Sequence, residues 1–171
     1  MLDRVDSYDE VYAVSNIGRI RNSRTGLVLK ARINRTGYLI VDLCKKGDKT
    51  TFPVHKLVAD AYLQLTEDED QIFIDHINNN KLDNTICNLR RASRSQNNRN
   101  CSMQANTSSR YKGVYKDKKS TKWIAQITMN RKQQHLGRFD DEKEAGKRYN
   151  TEATRLFGEF AKLNEFSDDE V

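Results

Sequence analysis

The sequence predicts an α+β fold divided into several small modules, and three patterns support this prediction. Residues 122–129 alternate between apolar and polar side chains, as expected of a strand with one buried face. Residues 55–65 and 145–157 each place apolar side chains on one stripe at helical spacing. Short apolar runs near the N-terminus are separated by glycine-containing turns, which is typical of β-hairpins.

Length and composition limit the classes of protein to consider. The 171 residues are enough for one ordinary domain or two to three small ones. No window approaches 18 apolar residues and the N-terminus lacks an apolar segment, so we expect neither a transmembrane segment nor a signal peptide. The cysteines Cys44, Cys87 and Cys101 form no C-x-x-C pair, so we expect no structural zinc and a reducing compartment.

The charge is unevenly distributed along the chain. The net charge is +6, with ten basic and two acidic residues in 19–56 and thirteen basic residues and one acid in 88–138. Residues 60–75 hold six acids and no base, and 139–171 hold ten acids and five bases. Each basic block could be a solvated face, but two blocks around one candidate site favour a polyanionic partner, DNA, although the charge alone fits RNA as well.

Residues 1–53 are predicted to form short strands and turns. A helix follows from His55 to about Leu65, with an acidic loop at 66–70 that we interpret as solvated. We leave His55 out of the catalytic set, because a single histidine at a helix start is more often a packing residue than a ligand.

The stretch from Ile72 to Asn97 holds the candidate site. A strand ends in Asp75 and His76, Asn88 follows a polar turn, and Ser93 caps a helix from about Arg94 to Met103 that carries Asn97. One carboxylate, one imidazole and two amides suit a hard cation plus a general base. Alternatively, Asp75 and His76 form only a hydrogen-bonded pair and Asn88 only caps a turn.

Residues 110–166 are predicted to form three strands and one helix. Along the second strand, 122–129, every other side chain is apolar, and we expect this face to pack on the helix. Trp123 lies on this face, so we expect it to pack in the core rather than to stack on a nucleic-acid base. Asp140 is predicted to cap the helix and Gly158 to end it. Residues 98–109 are predicted to be an extended linker.

The central stretch resembles the HNH nuclease motif of phage and intron-encoded homing endonucleases. The matching residues are Asp75-His76, Asn88 and Asn97, with 54–59 also similar. The resemblance implies His76 as general base, Asn88 as the acceptor of the hydrogen bond from its other ring nitrogen, and Asp75 and Asn97 as ligands of Mg²⁺ or Mn²⁺. It implies a 5′-phosphate and a 3′-hydroxyl as products, and the cytoplasm of a phage-infected bacterium as location.

The flanking segments resemble DNA-binding modules. Residues 12–21 resemble the small modular motif that often precedes HNH domains, which implies DNA contacts by Arg19 and Arg21; a structural cap is the alternative. In homing endonucleases that resemble this chain, the segment after the motif lies along DNA, which implies that Arg90, Arg91, Arg94 and Arg99 reach phosphates.

Residues 110–166 resemble the apetala/ethylene-response-factor DNA-binding domain. Matching segments include 111–114, 122–125, 135–140 and 161–164. In that family the exposed sheet face enters the major groove. The resemblance therefore implies DNA contacts by these eight residues: Lys112, Tyr115, Lys119, Lys122, Gln126, Thr128, Gln133 and His135.

These patterns together predict five segments: a DNA-contact motif at 1–53, a ββα-metal nuclease module at 54–100, a linker at 101–109, a DNA-binding domain at 110–166 and an acidic tail at 167–171. We expect a monomeric, site-specific, metal-dependent endonuclease acting on double-stranded DNA. A DNA-binding regulator with a silent nuclease module and a low-specificity nuclease are the alternatives.

Overall fold

The computed structural model describes residues 11–64, 72–101 and 107–166. These residues group into two compact units, one up to Asn97 and one from Asn98 onward, and each is described by itself. Several predicted features lie outside the described residues: the start of the N-terminal motif, the acidic loop, the middle of the linker and the acidic tail.

The first unit contains three small antiparallel sheets, the helix α1 and the first residues of the helix α2. Strands β1 and β2 form the first sheet, β3, β4 and β5 the second in that order, and β6 and β7 the third. The elements run in the chain order β1 Tyr12–Val14, β2 Ile20–Asn22, β3 Arg32–Ile33, β4 Leu39–Lys45, β5 Asp48–Pro53, α1 Val54–Tyr62, β6 Phe73–His76, β7 Leu89–Ala92 and α2 Arg94–Asn100.

One hydrophobic core runs through the whole first unit. Buried residues from β1, β2 and β4 pack in the same cluster as buried residues from α1 and β7. The predicted boundary between residues 53 and 54 crosses this core, so the N-terminal motif and the nuclease module fold as one unit. The members of this core are Tyr12, Ile20, Val41, Leu43, Val54, Leu57, Val58 and Leu89.

The second unit is a three-stranded antiparallel sheet packed on one helix, as predicted. Its strands β8 Val114–Lys116, β9 Trp123–Met129 and β10 Lys132–Phe139 pair in the order β10-β9-β8, and α3 spans Glu142–Phe157. Ala125 and Ile127 of β9 are buried in clusters with residues of α3, and Trp123 packs against the same core. The predicted packing role of Trp123 and the α+β modular fold are confirmed.

The helix ends differ from the prediction in detail. The N-cap of α3 is Asp141 rather than Asp140, and its carboxylate accepts a hydrogen bond from the Glu144 N–H at 2.7 Å. Gly158 ends α3 with φ +53°, as predicted. The helix α1 ends at Tyr62, earlier than expected.

Both described ends of the predicted linker make defined contacts. Residues 98–100 belong to α2, and the Ser109 hydroxyl donates a 2.6 Å hydrogen bond to the Glu142 carboxylate at the start of α3. Both ends of the segment are therefore held by local structure. Among the described residues, no helix combines the length and the apolar character needed to cross a membrane.

Candidate nuclease site

The strands β6 and β7 place the first two site residues. Their antiparallel register sets Asp75 opposite Arg90 and His76 opposite Leu89. Both predicted site residues are buried, with Asp75 4% and His76 6% exposed. Buried polar side chains need hydrogen-bonding partners, and the two residues have different ones.

Asp75 is bound by an arginine from the neighbouring strand. The Nε and Nη2 atoms of Arg90 both donate to Oδ2 of Asp75, at 2.9 and 2.8 Å. The Arg90 side chain is 12% exposed, so the two charges interact in a poorly solvated place. The guanidinium compensates the carboxylate charge, which makes burial of Asp75 possible.

His76 is bound by an amide, but a different one from the amide predicted. Its Nε2 lies 3.1 Å from Oδ1 of Asn84, whose amide group also donates to the Leu82 carbonyl. An amide oxygen only accepts, so Nε2 carries the proton and Nδ1 carries the lone pair. Burial lowers the pKa of His76, against the opposing effects of Asn84 and the Asp75 carboxylate. The lowered pKa favours the neutral ring, in which the lone pair of Nδ1 can accept a proton.

Asn88 holds the loop between the two strands. Its side-chain oxygen accepts from the Asn78 N–H at 2.9 Å, and its amide group donates to the Asp83 carbonyl at 2.8 Å. The prediction that Asn88 bonds to the His76 ring is wrong, because both ends of its side chain contact the main chain of the loop instead. Asn88 fixes the loop that carries Asn84.

The N-terminal motif supports Asn84 directly. A Cβ at Gly18 would lie 3.1 Å from the Asn84 Cβ, and Gly18 has φ +78°. The Ile86 N–H donates to the Asn16 carbonyl at 2.8 Å. The turn at residues 15–18 therefore packs against the segment that positions the partner of His76.

The fourth predicted residue, Asn97, lies on α2. Ser93 and Gln96 begin this helix with reciprocal hydrogen bonds, Ser93 N–H to Gln96 Oε1 at 2.7 Å and Gln96 N–H to Ser93 Oγ at 3.2 Å. This is a capping box, and the Asn97 N–H continues the turn by donating to the Ser93 carbonyl. The predicted Ser93 cap is confirmed.

The donor atoms available fit a hard divalent cation. Among the described residues, no group of three or more His, Cys, Asp or Glu could enclose a metal. Mg²⁺ prefers carboxylate and amide oxygens, with water and substrate phosphate completing its shell, and Asp75 and Asn97 have these types of oxygen. The carboxylate of Asp75 already binds one cation, the Arg90 guanidinium.

Three of the four arginines predicted to reach phosphates have other partners. Arg90 pairs with Asp75, Arg91 donates to the main-chain carbonyls of Gln64 and Leu63, and the Arg99 guanidinium lies 4.7 Å over the Phe157 ring. Their positions do not support the predicted phosphate contacts. Arg94 is exposed on α2, and Arg19 and Arg21 are exposed around β2.

The second unit presents a polar sheet face. Because Ala125 and Ile127 face the helix, Gln126 and Thr128 face the other way. The strand register aligns Gln126 with His135 and Thr128 with Gln133 on that side.

This face also contains Arg138, which is not among the residues that the sequence predicts to contact DNA. Arg138 pairs in register with Ile124, and Tyr115 pairs with Ile124 from the other side. The ladder shifts between His135 and Gly137, so simple alternation along β10 assigns Arg138 to the wrong face. Its guanidinium lies 3.7 Å from the Asp117 carboxylate and remains 62% exposed.

The predicted lysines differ in their surroundings. Lys119 and Lys122 are exposed, and Lys122 pairs with Asp140 at 3.2 Å. The Nζ of Lys112 instead donates to the carbonyls of Arg99 and Cys101, at 2.6 and 2.7 Å. This ammonium is bound to the main chain, so its position does not support the predicted DNA contact.

Comparison with known proteins shows which families this chain resembles. Residues 4–44 match the NUMOD4 motif. The DNA endonuclease I-HmuI of Bacillus phage SP01 is 36% identical over 86 residues, which are 50% of this chain and 48% of that protein. An uncharacterised HNH endonuclease of Acanthamoeba polyphaga mimivirus is 40% identical over 93 residues, 54% of this chain and 47% of that protein.

A solved structure is also similar to this chain. The structure described as DNA binding and cleavage by the HNH homing endonuclease I-HmuI superposes with a TM-score of 0.51 and 34% identity, covering 57% of this chain and 55% of that one. The matched stretches span between 22% and 48% of the curated relatives' own length. Over about half of its length the chain is similar to HNH homing endonucleases, and its residues 4–44 match the NUMOD4 motif.

Proposed function

We propose that this protein is a divalent-metal-dependent endonuclease that cleaves double-stranded DNA at a specific site. The observation that supports this most directly is the buried His76 ring, whose Nε2 lies 3.1 Å from Oδ1 of Asn84 and which therefore has its lone pair on Nδ1. A buried imidazole with a fixed tautomer and a lowered pKa is suited to remove a proton from water. It lies next in sequence to Asp75, a buried carboxylate.

His76 would act as the general base. Its Nδ1 takes a proton from a water molecule, whose oxygen attacks the phosphorus while the bond to the 3′ oxygen breaks. The 3′ oxygen leaves and takes a proton from solvent water, giving a 3′-hydroxyl and a 5′-phosphate, and the proton on His76 is later released to solvent. Asn84 stabilises the imidazolium that forms, because its carbonyl oxygen accepts the Nε2–H bond throughout.

Asp75 and Asn97 would hold the cation, Mg²⁺ or Mn²⁺. When bound, a divalent cation neutralises negative charge on the phosphate and on the leaving oxygen. Arg90 keeps the Asp75 carboxylate in place from the neighbouring strand. Asn88 acts indirectly, by holding the loop that contains Asn84.

The remaining parts of the chain would select the DNA site. We assign residues 110–166 to an apetala/ethylene-response-factor-like domain, with the sheet face around Gln126, His135 and Arg138 against the major groove. Arg19 and Arg21 would contact DNA from the N-terminal motif. Both assignments are supported by exposed basic and polar side chains on these surfaces. We expect the protein to act as a monomer.

A DNA-binding regulator with a silent nuclease module is the second candidate. The ion pair between Asp75 and Arg90 favours it, since the guanidinium already compensates the charge that a metal would bind.

Plasmid cleavage separates the two candidates. Supercoiled plasmids, including clones of the source genome, are incubated with Mg²⁺, with EDTA as control. The nuclease is expected to nick or linearise DNA only with the metal, and His76→Ala and Asn97→Ala are expected to abolish this. Asn98→Ala, an exposed residue of the same type on the same helix, is the matched control and should retain cleavage. Tight binding without cleavage on any DNA would favour the regulator.

A further inference from the structure

His55 is in direct contact with the candidate general base. It lies in the first turn of α1 and is 7% exposed. Its ring centroid is 5.2 Å from that of His76, in an edge-on arrangement at 69°, and 4.9 Å from that of Tyr38. The sequence assigns His55 a packing role, and the structure adds a polar feature that packing does not explain.

One ring nitrogen of His55 is enclosed without a hydrogen-bond partner. Among the side-chain nitrogens and oxygens of the described residues, Nδ1 of His55 is the single buried atom in this condition. An unpartnered buried polar atom is destabilising, and a phenylalanine would fill the same space without that cost. A buried N–H without an acceptor is rarer than a buried acceptor without a donor. We therefore assign the lone pair to Nδ1 and the proton to Nε2.

The ring is uncharged at neutral pH. Burial, followed by the charges of His76 and Lys56, lowers the pKa of His55 to about 4. A neutral imidazole with its proton on Nε2 is a hydrogen-bond donor that adds no charge. It would not oppose the positive charge that His76 gains when it accepts a proton.

The position of His55 on its helix favours an anion. The helix α1 has nine residues, its N-cap Pro53 makes no side-chain cap hydrogen bond, and its first turn contains no acidic residue. The positive end of the helix dipole is therefore not compensated by a carboxylate from the helix itself. Helix N-termini with this character bind phosphate groups.

We propose that His55 binds a phosphate oxygen of DNA through Nε2–H at the N-terminal end of α1, beside the His76 ring. This rests on the proposed function in that DNA is taken as the substrate. The contact would hold the DNA backbone beside the water that His76 deprotonates. It gives a reason for an imidazole at a position where a purely apolar ring would pack without an unpartnered atom.

Two substitutions test the donor. His55→Phe keeps an aromatic ring but removes both nitrogens, whereas His55→Gln places an amide nitrogen near the position of Nε2 and removes only Nδ1. Binding to mixed-sequence duplex DNA is measured in EDTA, so that no cleavage occurs, over a series of salt concentrations. Thermal melting of each variant is recorded alongside.

The expected result is a specific pattern across the two variants. His55→Phe should weaken binding roughly two- to tenfold, the loss expected for one hydrogen bond. The slope of affinity against salt should stay the same, because a neutral donor releases no counterion. His55→Gln should bind nearly as tightly as the wild type, and both variants should melt at or above the wild-type temperature.

Three results would overturn the proposal: wild-type binding by His55→Phe, binding by His55→Gln as weak as that of His55→Phe, or a clear fall in melting temperature for both. Cleavage assays separate this proposal from the function it rests on. If the wild type cleaves no DNA but the binding pattern holds, the phosphate contact stands and the nuclease assignment fails. If the wild type cleaves and His55→Phe binds normally, only the phosphate contact fails.

Discussion

Replacing Arg90 by methionine should strongly destabilise the first unit. The substitution leaves the Asp75 carboxylate, 4% exposed, without the guanidinium that donates to it at 2.8 and 2.9 Å. Removing one partner of a buried ion pair costs about 3–5 kcal/mol, because the remaining charge is buried uncompensated. For a unit that ends at Asn97, this corresponds to a Tm lower by roughly 12 °C or more. Thermal and urea unfolding followed by circular dichroism measure the change.

A double-mutant cycle provides the control. Asp75→Asn removes the negative charge, and the combined Asp75→Asn, Arg90→Met variant leaves neither charge. The combined loss of stability should be clearly smaller than the sum of the two single losses, since the pair is then absent rather than broken. If Arg90→Met unfolds at the wild-type urea concentration, or if the two losses simply add, the reasoning about this ion pair is refuted.

Three further predictions concern stability. Gly113→Ala should cost about 3 kcal/mol or more, because its Cβ would lie 2.0 Å from the Tyr149 ring and Gly113 has φ +77°; the melting transition of the second unit would show this, and an unchanged transition would contradict it. Asn88→Ala should cost about 2–3 kcal/mol in urea unfolding, since two main-chain groups of the loop lose their partner; a change below about 0.5 kcal/mol would argue against the loop role. Because the pKa of His55 is about 4 in the folded state against 6.5 ordinarily, the unfolded state binds more protons between these values, so stability falls by up to about 3 kcal/mol as pH drops from 6.5 towards 4. His55→Gln should remove this part of the pH dependence, and an identical dependence in both proteins would refute it.

The sequence was informative where one periodic pattern decides the structure. The alternation along β9 correctly predicted that Ala125, Ile127 and Trp123 pack in the core on the side of α3, whereas Met129 at the end of the strand is exposed. The sequence did not distinguish two neighbouring residues of equal suitability, Asp140 and Asp141, as the N-cap of α3. The choice between them depends on where the preceding strand ends, which local propensity does not determine.

The details of the site depended on pairings that spacing alone does not reveal. The partner of Asp75 follows from the register of β6 and β7, and the partner of His76 follows from the path of the loop between them. Both Asn84 and Asn88 are amides in that loop, so residue type could not distinguish them. Side chains of arginine and lysine are long, and three arginines and Lys112 found partners within the protein that their charge alone did not suggest.

The core shared by the two ends of the first unit limits which fragments of this chain can be grafted onto another protein. The matched NUMOD4 segment ends at residue 44, whereas the buried cluster continues through α1 and β7. A fragment that starts at Val54 would expose the apolar face that packs on Tyr12, Ile20 and Val41, and would lose the turn that supports Asn84. Grafting the candidate site residues onto another protein therefore requires carrying the NUMOD4 segment with them. The segment that matches the motif is therefore shorter than the segment that must be transplanted if the candidate site is to keep its shape.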